Sequence, residues 1–202
     1  MNTIQLPVGI IPRHIVQPRL DVYYPELTRL ENSNIEQHLN ARIMLQVNTM
    51  IRKQGYEENP QTTITGGFEI KNNQRDIVSL TNSHYSFSGG AHGTTILRSL
   101  TMDVNTGQVY SLKKLFKPNS DYQKRLNELI RVQIKSRDMP LIADFTGIAP
   151  NQYYYIADKA LIIYFQLYEL LPYVYGFPYF VISVYDVQDI VLEDGPLGRM
   201  IS

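Results

Sequence analysis

The sequence predicts an α+β fold built mainly on antiparallel sheet. Three observations carry that prediction. The elements run strand, helix, strands, helix, strands, without the strict alternation of a parallel α/β chain. Both helical segments open on a Ser-x-x-Glu or Ser-x-x-Gln pattern, which satisfies free N–H groups at a helix start. The strand runs are short and bounded by Gly, Asn and Asp turns. Together they predict two interlocked modules, each a capped helix packed on mainly antiparallel sheet.

Residues 1–19 read as an extended segment punctuated by Pro7, Pro12 and Pro18. The first module spans residues 20–112. It opens with the strand "LDVYYPEL", whose Pro25 suits an edge. Ile35, Leu39, Ile43, Val47 and Ile51 then recur every four residues as one helical stripe. Ser33 with Glu36 predicts the cap, and Gly55 predicts the stop. "TTITGGFEIK" is a strand in which Gly66 and Gly67 predict a bulge or a close backbone approach. "KNNQRD" is a turn, "IVSLTNSHYSF" a strand and "ILRSLTMDV" another. Asn105–Gly107 is a hairpin turn leading to "QVYSL", so residues 62–112 predict a four-stranded meander.

The second module spans residues 113–192. Its helix carries Tyr122, Leu126, Leu129, Ile130, Val132 and Ile134 on a broad apolar face, with Ser120 and Gln123 as the predicted cap. A loop follows, then a hairpin turning at Asp158–Lys159. An aromatic crossing, "LYELLPYVYGFPY", and a last strand, "FVISVYDVQDIV", lead to a short terminal helix. Residues 193–202 are expected to form a loose tail.

Composition narrows function. The chain balances 19 Lys and Arg against 19 Asp and Glu, so no basic field draws nucleic acid or an anionic membrane. It has 0 Cys, which removes disulfides, Cys-ligated zinc and thiol catalysis. No apolar run approaches the ~18–20 residues of a membrane span. The first residues lack a basic stretch followed by an unbroken apolar one, so no signal peptide is read, and an intracellular location follows if Met1 is the native start. Of the 15 tyrosines, most of those beyond Tyr153 suit sheet packing, with a minority left to a recognition surface.

"YSFSGGAHGTT" (Tyr85–Thr95) is the segment most suggestive of chemistry. Gly89 and Gly90 beside His92 suit an anion nest or a general base. A strand follows them rather than a helix, which removes the phosphate-loop and dinucleotide readings. Four histidines with no metal-ligand spacing predict no metal site, and no cofactor is expected. In "LLPYVYGFPY", Tyr173 is assigned to the core, whereas Tyr175 and Phe177 are candidates for stacking on a sugar or a partner protein.

In order along the chain stand "HLNARI", Tyr85 with "GGAHG", "DVNTGQVYSLKKLF" and "YELLPYVYGFPYFVISV". This succession resembles the extracytoplasmic, lysozyme-binding region of the anti-sigma-V factor of Gram-positive bacteria. It is also similar to the non-catalytic part of a Bacillus-type peptidoglycan deacetylase. The resemblance runs from about Leu20 to Ile190 and implies a non-enzymatic binding or sensing module of the cell envelope. It implies an extracytoplasmic location and a lysozyme-like protein or a cell-wall glycan as ligand. Gly89, Gly90, His92, Tyr175 and Phe177 are the candidate ligand-binding residues. Two other readings stand beside it: a cell-wall-polymer hydrolase or transferase using His92, and a structural or assembly protein of the envelope or spore. The oligomeric state is left open.

Overall fold

The computed structural model describes residues 8–201. The expectation for residues 1–7, including Pro7, lies outside them. The chain forms two compact units, Met1–Val109 and Tyr110–Ser202.

The N-terminal unit is a five-stranded sheet in the order β1-β2-β3-β4-β5 with one long helix. β1 (Gly9–Gln17) and β2 (Leu20–Thr28) form an antiparallel hairpin turning at Pro18 and Arg19. Gly9–Gln17 of the proline-punctuated segment is therefore an edge strand of the sheet. Pro12 is tolerated because β1 lies at the edge, where a missing N–H breaks no second ladder. Pro25 sits opposite Pro12 on β2, an inner strand. β2 meets β3 (Thr63–Gln74) in parallel only over Leu20–Val22, so at Pro25 no β3 ladder is lost.

α1 (Ser33–Lys53) buries Leu39, Ile43, Val47, Met50 and Ile51, four of the five expected stripe residues plus one methionine, and leaves Ile35 half-buried against the core. The four buried stripe residues pack with Val22, Leu27, Ile64, Val78, Leu80 and Met102 from the sheet. The cap is Asn32, one residue before the predicted serine: its Oδ1 accepts from the N–H groups of Asn34 and Ile35. Glu36 reaches back to accept from Leu30 N at 3.1 Å. Replacing Asn32 with Ala is expected to cost about 1 kcal/mol, and Ser33→Ala a few tenths at most, in urea unfolding. Equal losses at both positions would place the cap on the serine.

β3, β4 (Ile77–Phe87) and β5 (Thr94–Asp103) form the meander. Arg75 and Asp76, both at positive φ, make a two-residue turn between β3 and β4. The predicted fourth strand is reduced to one bridge, Met102 to Val109. Asp103 explains this: its Oδ1 accepts from Asn105 and Thr106 N–H, curling the chain into a tight turn with Gly107 at φ +75°. The bulge of β3 lies between Ile70 and Asn72, not at the glycine pair. Gly66 answers to the other expectation, close approach. It pairs across the ladder with His84, whose ring would lie 2.6 Å from a Cβ at that position.

The C-terminal unit holds α2 (Tyr122–Ser136) against a three-stranded antiparallel sheet of β6 (Tyr154–Ala157), β7 (Ala160–Tyr164) and β8 (Tyr179–Ser183). α2 buries Tyr122, Leu126 and Ile130, while Val132 is 66% exposed. Its cap is Asp121 and not Ser120, whose hydroxyl instead donates to Lys117 O. The last strand stops at Ser183, where a 3₁₀ turn begins. The tail is not loose: α3 (Pro196–Ile201) buries Pro196, Leu197 and Met200. Those apolar residues, spaced by one and three, give a short helix one face to bury. No helix among the described residues is long and apolar enough to cross a membrane.

Candidate functional site

The GGAHG segment joins β4 to β5 and is held by its own neighbours. Ser86 and Thr94 close the ladder, leaving the chain to turn over residues 87–93. Gly89 and Gly90 adopt φ +91° and +101°, the left-handed region that a side chain strains. Thr62 Oγ1 and Ser88 Oγ, 2.8 Å apart, tie the loop to the chain entering β3. Gly93 is buried beneath Tyr85, and its N–H donates to the Tyr85 hydroxyl at 3.2 Å. A Cβ there would run into the Ser86 carbonyl and lie 2.5 Å from Tyr85 Cζ. The tyrosine and the last glycine of the motif thus form one packing lock.

His92 is exposed, with its Nδ1 2.9 Å from the Gly93 carbonyl, a contact in which the protonated nitrogen donates. His84 lies fully buried on β4 and faces Gly66. The two histidines flank the same turn in sequence, but one is inside the sheet and the other outside. No group of three or more His, Asp or Glu among the described residues is placed to hold a metal ion.

The other signature residues also make contacts within the fold. Asn40, in the middle of "HLNARI", donates to Leu27 O and accepts from Leu27 N. It takes the place of a strand partner where β3 does not run alongside β2. Asp103 of "DVNTG" is fully buried and organises the turn already described.

Tyr175 and Phe177 belong to the C-terminal unit, the GGAHG segment to the N-terminal one. A 3₁₀ turn over Tyr173–Tyr175 ends at Gly176, φ +69°, which swings the chain into β8. Tyr175 is 58% exposed, and Tyr173 is half-buried against Tyr168, with ring centroids 5.4 Å apart. Tyr175 and Phe177 line an open cleft of about 580 Å³ together with Leu171, Tyr179, Arg137 and Asp138. Arg137 forms one wall because four contacts hold it, one of them from its Nε to Gln133 O at 3.3 Å. Its Nη1 donates to Tyr179 O at 3.0 Å, its Nη2 to Gln133 Oε1 at 3.2 Å, and its guanidinium carbon sits 5.0 Å from the Phe180 ring centre. Sequence reasoning missed Arg137 and Asp138, which stand some forty residues before the aromatic segment. Their only sequence signal is the end of the helical pattern at "KSRDMP".

Comparison with known proteins defines the class first. Residues 16–95 match the family model described as deacetylase PdaC, and residues 113–185 match one described as a protein of unknown function, DUF3298. One match falls in each unit, so the N-terminal unit is similar to the deacetylase PdaC family model and the C-terminal unit to the DUF3298 model. Its particular structural relatives are DUF3298 family proteins. A crystal structure from Pseudomonas aeruginosa PAO1 aligns with TM-score 0.72 and 14% identity, covering 94% of this chain and 96% of that one. Another, from Bacteroides fragilis, aligns with TM-score 0.67 and 13% identity over 99% of both chains. At such identities the likeness is one of fold. No curated protein matches the sequence. These findings carry the deacetylase-associated part of the resemblance, while the anti-sigma-V part rests on the sequence motifs alone.

Proposed function

We propose that this chain is a non-enzymatic binding module and that its ligand is a cell-wall glycan, seated on the aromatic cleft of the C-terminal unit. The observation that carries the reading is the cleft itself. Exposed Tyr175 and Tyr179, with Phe177, offer ring faces to the apolar face of a sugar. Arg137 and Asp138 stand beside them to meet hydroxyl and amide groups. The pairing with a deacetylase-associated region supports a wall polymer over other glycans, and an extracytoplasmic site of action goes with it. The contacts of Asn40, Tyr85, Gly93 and Asp103 within the fold support a structural role for the signature residues.

Titration with chitotetraose, followed by calorimetry, tests this. Tyr175→Ala is expected to weaken binding about tenfold, because the exposed ring supplies contact area without supporting the core. Mass spectrometry of the same sample should show the sugar unchanged. Turnover that His92→Ala abolishes would establish the hydrolase or transferase reading instead. Binding of lysozyme, with no sugar binding, would move the ligand to a protein.

A further inference from the structure

We infer that the groove between α1 and β5 in the N-terminal unit docks an acidic peptide segment that also carries apolar side chains. The inference is independent of the aromatic cleft. On α1 the groove is lined by Arg42, Leu45, Gln46, Thr49, Met50 and Lys53. Steps of three and one place these residues on a single helical face. Arg98 and Leu100 complete it from β5; two residues apart, they share one side of the strand. Their ladder partners, Asn82 and Leu80, show that this side faces the helix: Leu80 lies in the core that α1 covers, and Asn82 donates to Gln46 Oε1 at 2.9 Å.

Charge selects the occupant. The chain as a whole is balanced, yet this groove is lined by three cations and no carboxylate. Arg42 and Lys53 are exposed and lie eleven residues apart, a separation of about 16 Å along a helix. That distance exceeds the reach of one phosphate or carboxylate. It suits an extended chain whose charges recur about every 7 Å, the repeat of alternate residues in a strand. Between the cations lies an apolar floor of Leu45, 51% exposed, and half-buried Leu100, set over the buried Met50 and enclosing about 160 Å³. A polyanion without apolar groups would leave this floor uncovered. A peptide alternating acidic and apolar side chains covers both.

The test uses a fluorescein-labelled peptide of alternating Glu and Leu, read by fluorescence anisotropy against the full chain. Binding is expected to weaken about tenfold or more when Gln replaces Glu in the peptide, or when the protein carries Arg42→Glu with Lys53→Glu. It should also fall between 50 and 200 mM salt. Lys113→Glu with Lys114→Glu, an equal charge change at exposed positions of the other unit, should leave it unaltered. Thermal melts confirm that the exposed substitutions leave the fold intact. The proposal is overturned if the Gln peptide binds equally, or if the Arg42 and Lys53 variant binds as the parent does. It is overturned equally if inorganic polyphosphate, or a Glu and Ser peptide, binds as tightly as the Glu and Leu peptide.

Discussion

Acidification from pH 7 to pH 4 is expected to remove up to about 3 kcal/mol of stability through His84 alone. The ring is fully buried on β4, and neither nitrogen has a hydrogen-bond partner. Burial disfavours the imidazolium and lowers the folded-state pKa to about 4 from its ordinary 6.5. The unfolded chain takes up its proton near 6.5, whereas the folded chain resists until about 4. Between those values the unfolded state binds more protons. The His84 contribution is therefore complete above pH 6.5, falls as the pH drops through the window, and is flat below about 4. Urea unfolding across this range measures it. His84→Leu should flatten the slope between pH 4 and 6.5, leaving only what the carboxylates contribute. An unchanged slope would show that the ring finds a proton acceptor in solution. A packing consequence accompanies the electrostatic one: the ring lies so close to Gly66 that a side chain there has no room.

Gly93→Val is expected to destabilise the N-terminal unit by about 3 kcal/mol. The obstruction has two parts with different stiffness. The Tyr85 ring, 2.5 Å from a Cβ built at Gly93, can rotate away at the loss of its hydrogen bond to Gly93 N–H. The Ser86 carbonyl belongs to the β4 backbone and cannot move without shifting the hairpin. Gly90→Ala is the informative comparison, because nothing lies within 4 Å of its Cβ position. Only its positive φ opposes a side chain, so its cost should stay near 1 kcal/mol. Thermal unfolding of both variants checks the order, and similar small losses at both positions would remove the packing lock. Tyr85→Ala should not rescue Gly93→Val, because the carbonyl obstruction remains.

Several features were legible because they depend on neighbours in sequence. The four-residue recurrence from Ile35 to Ile51 predicts the inward face of α1, and that face is buried from Leu39 on, with Ile35 half-buried at its start. The turns at Gly107 and at Asp158–Lys159 fall where the turn residues stand. The caps missed by one residue for an instructive reason. Asn32 and Ser33 are both good N-caps, and Glu36 fits a box begun by either route. Only the path of the incoming chain decides, and that path is set by Leu30 N–H donating to Glu36. At the termini, the extended segment around Pro12 forms a ladder strand, and the tail expected to be loose opens a helix at Pro196. An edge ladder tolerates the first proline, and the second stands at a helix start, a position where its missing N–H costs nothing.

The candidate site divides in the same way. Tyr175 and Phe177 were legible as candidates because an aromatic run stiffened by Pro172 and Pro178 cannot bury every ring, and both line the cleft. Arg137 was not, because its place depends on α2 ending against the Tyr179 carbonyl. The cationic groove was invisible for a related reason. Arg42, Lys53 and Arg98 are unremarkable in a chain with equal numbers of both charges until the register of β5 sets the last beside the first two.

Local sequence carried the α+β class, the buried stripe of α1 and the turns, since periodicity and backbone preference are local properties, whereas the apolar face predicted for α2 was too broad, with Val132 exposed. Tertiary structure alone decided that Gly9–Gln17 is a strand, that β2 and β3 run parallel, and that His84 is buried and His92 exposed. Those outcomes turn on which distant segment supplies a hydrogen-bond partner or excludes water. No run of neighbouring residues encodes that choice.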